Sequence, residues 1–177
     1  MKFSIIIVSL QAMKRKRIVS ILIILLVLVT LGSCASSEER AAQKAEYARK
    51  VKIALDTRAY KISINRMLPM GGASKSVSYG YSIEVRNDSL FSYLPYFGRA
   101  YQVPYGGGKG LKFDAPIIHY QEAKKNNGSR QIDIELKNEE DEYTYHFSVF
   151  ENGNSSIDVQ SRQRDRISYS GEVIFDK

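Results

Sequence analysis

One cysteine, two histidines, four prolines and no tryptophan occur among the 177 residues. A single thiol excludes a disulfide framework and any zinc site built from cysteine pairs. His119 and His146 lie in separate stretches with no H-E-x-x-H spacing, so no metal centre is expected. No G-x-S-x-G run marks a nucleophile elbow. No apolar run reaches the ~20 residues that a membrane-spanning helix needs. What is present is ordinary for a globular domain: 44% hydrophobic and 25% charged residues in a length that suits one core.

Acidic residues are also missing from one place, the first 33 positions, and that absence explains the net charge of +7. Lys2, Lys14, Arg15, Lys16 and Arg17 all fall there, so the rest of the chain holds 21 basic against 19 acidic residues. A nucleic-acid partner is therefore not expected. The basic run Lys14–Arg17 is followed by the apolar stretch Ile18–Leu31 of 14 residues, an n-region and h-region of signal-peptide size. Met13 would begin a conventional leader, which makes it a candidate for the true start. The leader ends in Leu31-Gly32-Ser33-Cys34, which resembles the bacterial lipobox, with Cys34 as the lipid-attachment residue. The domains expected are a signal peptide at 1–33, a lipid-anchored tether and helix at 34–58, and a β domain at 59–177. Acyl chains on Cys34 would hold the protein on the outer membrane, facing the periplasm or the surface, since each buried methylene adds about 0.8 kcal/mol of anchoring.

Ser36 and Glu39 have capping-box spacing, and good helix formers follow to about Leu55. The stripe Ala41, Ala45, Ala48, Val51, Leu55 is thin, so this helix packs weakly or serves as a stalk. Beyond Tyr60 the period becomes two. Val77–Val85, Ile132–Leu136, Tyr143–Val149, Ile157–Val159 and Ile167–Tyr169 alternate apolar with polar, as does Tyr60–Ile64; Leu90–Leu94 and Pro116–Tyr120 add strands. Turn signals at Asn87-Asp88, Asn126–Gly128, Asn138–Asp141 and Glu151–Gly153 separate them. The fold expected is mainly β: about eight antiparallel strands in an up-and-down, lipocalin-like barrel, or a strongly curved sandwich, preceded by one N-terminal helix.

Between Leu94 and Asp114 the alternation stops. Tyr96, Phe97, Tyr101 and Tyr105 share the segment with five glycines and two prolines, the composition of a long loop tied down by its rings. Gly106–Gly110 fails as a phosphate loop, because Lys109 is followed by Gly and Leu in place of Ser or Thr. The run YLPYFGRAY, then PYGGGKGLKF, an Asp-Ala-Pro-Ile strand start, a late E-N-G hairpin and a closing SGEV resemble the Bacteroidetes envelope-lipoprotein family known as domain of unknown function 4251. The resemblance runs from about Lys44 to Phe175 and implies a secreted or lipid-anchored β-rich domain. It brings no catalytic residues.

Glu84, Asp133 and Glu135 alternate with apolar neighbours and are expected on a wet face, where carboxylates solubilise; Asp114 joins them only if the strands bring it near. His146 is expected on the same kind of face. The function expected is a non-catalytic binding module for a small amphipathic or anionic ligand, with no cofactor and no metal. Tyr96, Phe97, Arg99, Tyr101, Tyr105 and Lys109 are its candidate contacts, either alone or beside a Tyr-rich barrel interior. The alternative is an interaction or scaffolding subunit of an envelope complex, and a hydrolase is the less favoured reading.

Overall fold

The computed structural model describes residues 35–101 and 111–175. The expected leader at 1–33, Cys34, Tyr105 and Lys109 lie outside the described residues. Among the described residues helix α1 spans Ala35–Asp56 and precedes nine strands: β1 Tyr60–Pro69, β2 Lys75–Ser76, β3 Ser82–Arg86, β4 Ser89–Leu94, β5 Leu111–Lys124, β6 Arg130–Lys137, β7 Glu142–Val149, β8 Asn154–Ser161 and β9 Ile167–Ile174. All pair antiparallel in the order β2-β1-β3-β4-β5-β6-β7-β8-β9, and β9 returns to β1. Eight strands thus close an up-and-down barrel and β2 is an extra strand on β1, so the barrel alternative holds over the sandwich. Among the described residues, closure leaves only the two-residue strand β2 with a free edge.

The chain divides into two compact units at Ala45/Glu46. Up to Ala45 the described side chains of α1 are exposed. From Glu46 the helix belongs with the strands, and its side chains Val51, Ala54 and Leu55 are buried. Among the described residues no helix is long and apolar enough to cross a membrane.

Alternation places the core. Ile132, Ile134 and Leu136 of β6 pair with Phe147, Tyr145 and Tyr143 of β7, all buried, while the intervening residues face out. The Tyr-rich inward face is real, and its rings fill the interior: Tyr143 stacks on Phe113 at 4.6 Å, and Tyr145 lies 6.1 Å from Phe147. Tyr145 Oη donates to Ser92 Oγ at 3.0 Å, and Ser92 Oγ donates to the Leu111 carbonyl at 2.8 Å. This chain satisfies the polar atoms of a side chain that is wholly buried. Burial drives the Tyr145 and Tyr169 phenols upward from the usual tyrosine range.

Two bulges shift that alternation. In β1 the inward residues are Tyr60, Ile62 and Ile64; after the irregularity between Ile64 and Arg66 the buried position is Pro69. In β5 the shift between Ile117 and His119 leaves Ile118 67% exposed. An extra residue in one strand reverses which side chains point inward. The alternating run expected from Val77 to Val85 is shorter than its pattern: β3 begins at Ser82, and Tyr79 is fully exposed beside Gly80, which has φ +109°. Asn87 and Asp88, at φ 52° and 53°, form the two-residue hairpin turn between β3 and β4.

Candidate functional site

Residues 95–101, the described part of the aromatic segment after β4, form a strap at one end of the barrel. Tyr169 Oη donates to the Pro95 carbonyl at 2.7 Å, and Tyr96 Oη donates to the Arg99 carbonyl at 2.7 Å. Gly98 allows this fold-back, because a Cβ there would sit 2.6 Å from Tyr96 Oη. The strap is then stitched to the β8–β9 connection. Arg99 N donates to Asp165 Oδ2 at 3.2 Å, Asp165 N returns a bond to the Arg99 carbonyl at 3.0 Å, and Tyr101 Oη donates to Asp165 Oδ1 at 2.6 Å. The Tyr101 hydroxyl, and after it the Arg99 N–H, hold the Asp165 carboxyl below its ordinary range; the same bond raises the Tyr101 phenol. Beneath the strap, Arg164 is buried with its guanidinium 5.5 Å from the Tyr96 ring and 3.2 Å from Glu140.

Four of the six candidate contacts, Tyr96, Phe97, Arg99 and Tyr101, are therefore brought together. The bonds of Tyr96, Arg99 and Tyr101 run to one another, to Asp165 and, from Tyr101 N, to the Gln163 carbonyl at 2.8 Å. Phe97 is 57% exposed with the Lys75 ammonium 3.6 Å above its ring. Asp114 is across the sheet from Phe91 and away from this strap.

The outer face shows carboxylates paired with surface cations. Glu84 contacts Arg86 at 2.6 Å and Lys61 at 3.9 Å, and Asp133 holds His146 Nδ1 at 2.7 Å. His146 and Asp133 are half-exposed, as their alternation implies. The row continues to Asp158, which takes the Ser168 hydroxyl and pairs with Arg166 at 2.9 Å. Ser168 gives its proton to Asp158 and not to His146, so the serine–imidazole bond that activates a nucleophile is not made here. Among the described residues no group of His, Cys, Asp or Glu is placed to hold a metal ion.

The opposite end of the barrel is different. Helix α1 ends in a Schellman turn, with Ala59 N on the Ala54 carbonyl at 2.9 Å and Arg58 N on the Leu55 carbonyl at 3.0 Å; Arg58, at φ 52°, fills the position usually given to glycine. This turn brings the helix back across the barrel end. Tyr47 Oη donates to the Val173 carbonyl at 2.5 Å, a fit that needs Gly153, where a Cβ would lie 2.4 Å from that oxygen. On the other flank Arg130 of β6 reaches Asp56 Oδ1 at 2.6 Å, pairs with Glu122 of β5, and donates to the Lys52 carbonyl at 3.3 Å. Desolvation opposes the guanidinium charge, but Asp56 and Glu122 outweigh it and the net shift is upward.

Between helix and hairpins these anchors leave a cleft of about 360 Å³. Ala48, Val51 and Leu55 form one wall, and Val149, Phe150 and Gly128 the other. Phe150 is 40% exposed at its mouth. No residue of this cleft was among the sequence candidates. A signal that could have pointed to it is Phe150 beside the Glu151-Asn152-Gly153 turn, an aromatic ring placed next to a loop.

Fold and cleft together define a small closed β-barrel with a helix laid across one end. The family model "Domain of unknown function (DUF4251)" matches residues 42–173, and the chain belongs to this family. A crystal structure of a DUF4251 family protein from Bacteroides eggerthii DSM 20697 is similar, with a TM-score of 0.59 at 12% identity over 75% of this chain and 90% of that one. At that identity the likeness concerns the fold. No curated protein matches the chain.

Proposed function

We propose that this protein is a lipid-anchored, non-catalytic binding module of the outer membrane, attached through Cys34, and that its small amphipathic ligand lodges between α1 and the barrel end. The observation that carries this reading is the apolar, half-enclosed cleft of about 360 Å³, within the roughly 300–1,000 Å³ typical of small-molecule sites. The barrel interior is a weaker host, since Tyr143, Tyr145, Phe147 and Tyr169 occupy it. The test is a cleft-filling variant. Full-length chain purified from its native envelope should carry a small molecule detectable in organic extracts by mass spectrometry. Ala48→Trp should remove it, and Ala41→Trp, on an exposed part of the same helix, should not. Equal retention in both variants would overturn the proposal.

A second reading, an interaction subunit, is favoured by exposed aromatic rings at the strap end: Phe97 at 57% and Tyr101 at 67%. In situ crosslinking that captures the same neighbours for wild type and Phe97→Ala would count against it.

A further inference from the structure

The charges around the cleft are unbalanced. Arg130 is committed to Asp56, Glu122 and the Lys52 carbonyl. Arg49, Lys52 and Lys124 line the same cleft, and among the described residues none of them makes an ion pair. Among the described residues Glu151 is the one lining acid for which no ion pair forms. The lining as a whole holds four cations, Arg49, Lys52, Lys124 and Arg130, against the three acids Asp56, Glu122 and Glu151, and this net charge of +1 on the rim of an apolar slot makes a local positive field. Low-dielectric walls strengthen the pull of such a rim on an anion.

We propose that the cleft binds a single-chain amphiphile carrying one negative charge, its anionic head between Lys52 and Lys124 and its hydrocarbon chain along Val51, Leu55, Val149 and Phe150. This rests on the cleft being the ligand site. The volume sets the chain number: about 360 Å³ is at the small end of ligand sites, which suits one acyl chain. The walls set the order of the two parts. Val51, Leu55 and Val149 are buried at the base, whereas Lys52 and Lys124 are exposed, so the tail enters and the head stays at the rim. Lysine suits this position, because its apolar stem packs on the wall while its ammonium stays in water.

Photoactivatable C12 probes with identical diazirine tails and a carboxylate, alcohol or ammonium head separate the alternatives. They are applied to membranes carrying the full chain, and labelled peptides are mapped by mass spectrometry. The carboxylate probe should label peptides containing Val51–Leu55 and Val149–Phe150, with the alcohol about fivefold lower and the ammonium lowest. Lys52→Glu/Lys124→Glu should bring carboxylate labelling down to the alcohol level, and Lys124→Gln alone should lower it part of the way. Both lysines are exposed, and an unchanged urea midpoint shows that folding is intact. Equal labelling of the cleft by all three heads would refute the anionic ligand while leaving the ligand site standing. Labelling absent from the cleft, or confined to the strap at 95–101, would refute both.

Discussion

A methyl group added at Gly171 tests whether the seam between β1 and β9 closes the barrel. Gly171 lies across from Ile64, beside the bulge in β1, and an ideal Cβ there would sit 2.1 Å from the Ser63 carbonyl oxygen and 3.1 Å from Ile64 Cδ1. Ordinary contact begins at 3.4 Å, so the β1 backbone must retreat by more than 1 Å. A backbone hydrogen-bonded on both sides cannot swing away as a lysine tip can. Ser63 pairs with Ser82 on one flank and with Glu172 on the other. Overpacking costs about 1–3 kcal/mol, and each of two weakened ladder bonds adds about 0.5–1.5 kcal/mol, so Gly171→Ala should lose roughly 4 kcal/mol. For a chain of this size that lowers Tm by about 10 °C. Total stabilities of about 5–15 kcal/mol would still leave the variant folded at room temperature. Gly72→Ala is the control: its Cβ would meet only Pro69, at 3.5 Å or more, and its effect should stay within about 1 kcal/mol. Urea titrations followed by near-UV circular dichroism measure both. A Gly171→Ala midpoint within 1 kcal/mol of wild type, with an unchanged spectrum, would refute the tight seam.

Three further outcomes follow from other parts of the molecule. Ser92→Ala strands the buried Tyr145 hydroxyl and should cost about 1–3 kcal/mol, Tyr145→Phe about 1 kcal/mol, and the double variant less than the sum, as a double-mutant cycle in urea would show. Arg130→Met cuts the bonds to Asp56, Glu122 and Lys52; its side chain is 20% exposed, so about 2 kcal/mol is expected, and amide exchange should rise first in Glu46–Asp56. The strap should loosen at both pH extremes. Asp165 is depressed, so its contribution is present above its unfolded pKa of about 3.9 and fades as pH falls below that; Tyr101 is raised, so its contribution is present below about 10 and fades at higher pH. Amide exchange of residues 95–101 against pH should show a plateau between those limits, and Asp165→Asn should remove the acid limb; a profile that Asp165→Asn leaves unchanged would contradict the latch.

How far the fold was legible depends on what carries each signal. Strands β6 and β7 read directly from the alternation of Ile132–Leu136 and Tyr143–Val149, because one face is core and the other water along their whole length. The hairpin at Asn87-Asp88 was legible because positive φ favours those residue types. Strand β5 was seen only in part, at Pro116–Tyr120, although it runs from Leu111 to Lys124. Its bulge at Ile118 reverses the inward phase halfway along, so no single period-two pattern spans it. Pattern was misleading at Tyr79 for a related reason: Gly80 turns the chain there, and an aromatic residue in phase with Ile83 and Val85 ends up fully in solvent.

The site was harder to read than the fold, because its parts are far apart in sequence and ordinary one by one. The strap drew attention through its composition, and much of that composition serves closure: Tyr96 and Tyr101 hold the segment to Asp165 and its neighbours, and Gly98 makes room for Tyr96. The cleft depends instead on Arg58 at a left-handed helix end, on Gly153 yielding space to Tyr47, and on Arg130 clamping the helix. None of these is a motif. A helix stripe of Ala48, Val51 and Leu55 looks too thin to pack well, and that thinness has a structural consequence: a wider apolar face would seal against the hairpins, whereas this one leaves space beside Phe150. The weak helix and the cleft are thus one feature, and substitutions that strengthen the helix's grip, such as Ala48→Leu, should stabilise docking while shrinking the proposed site.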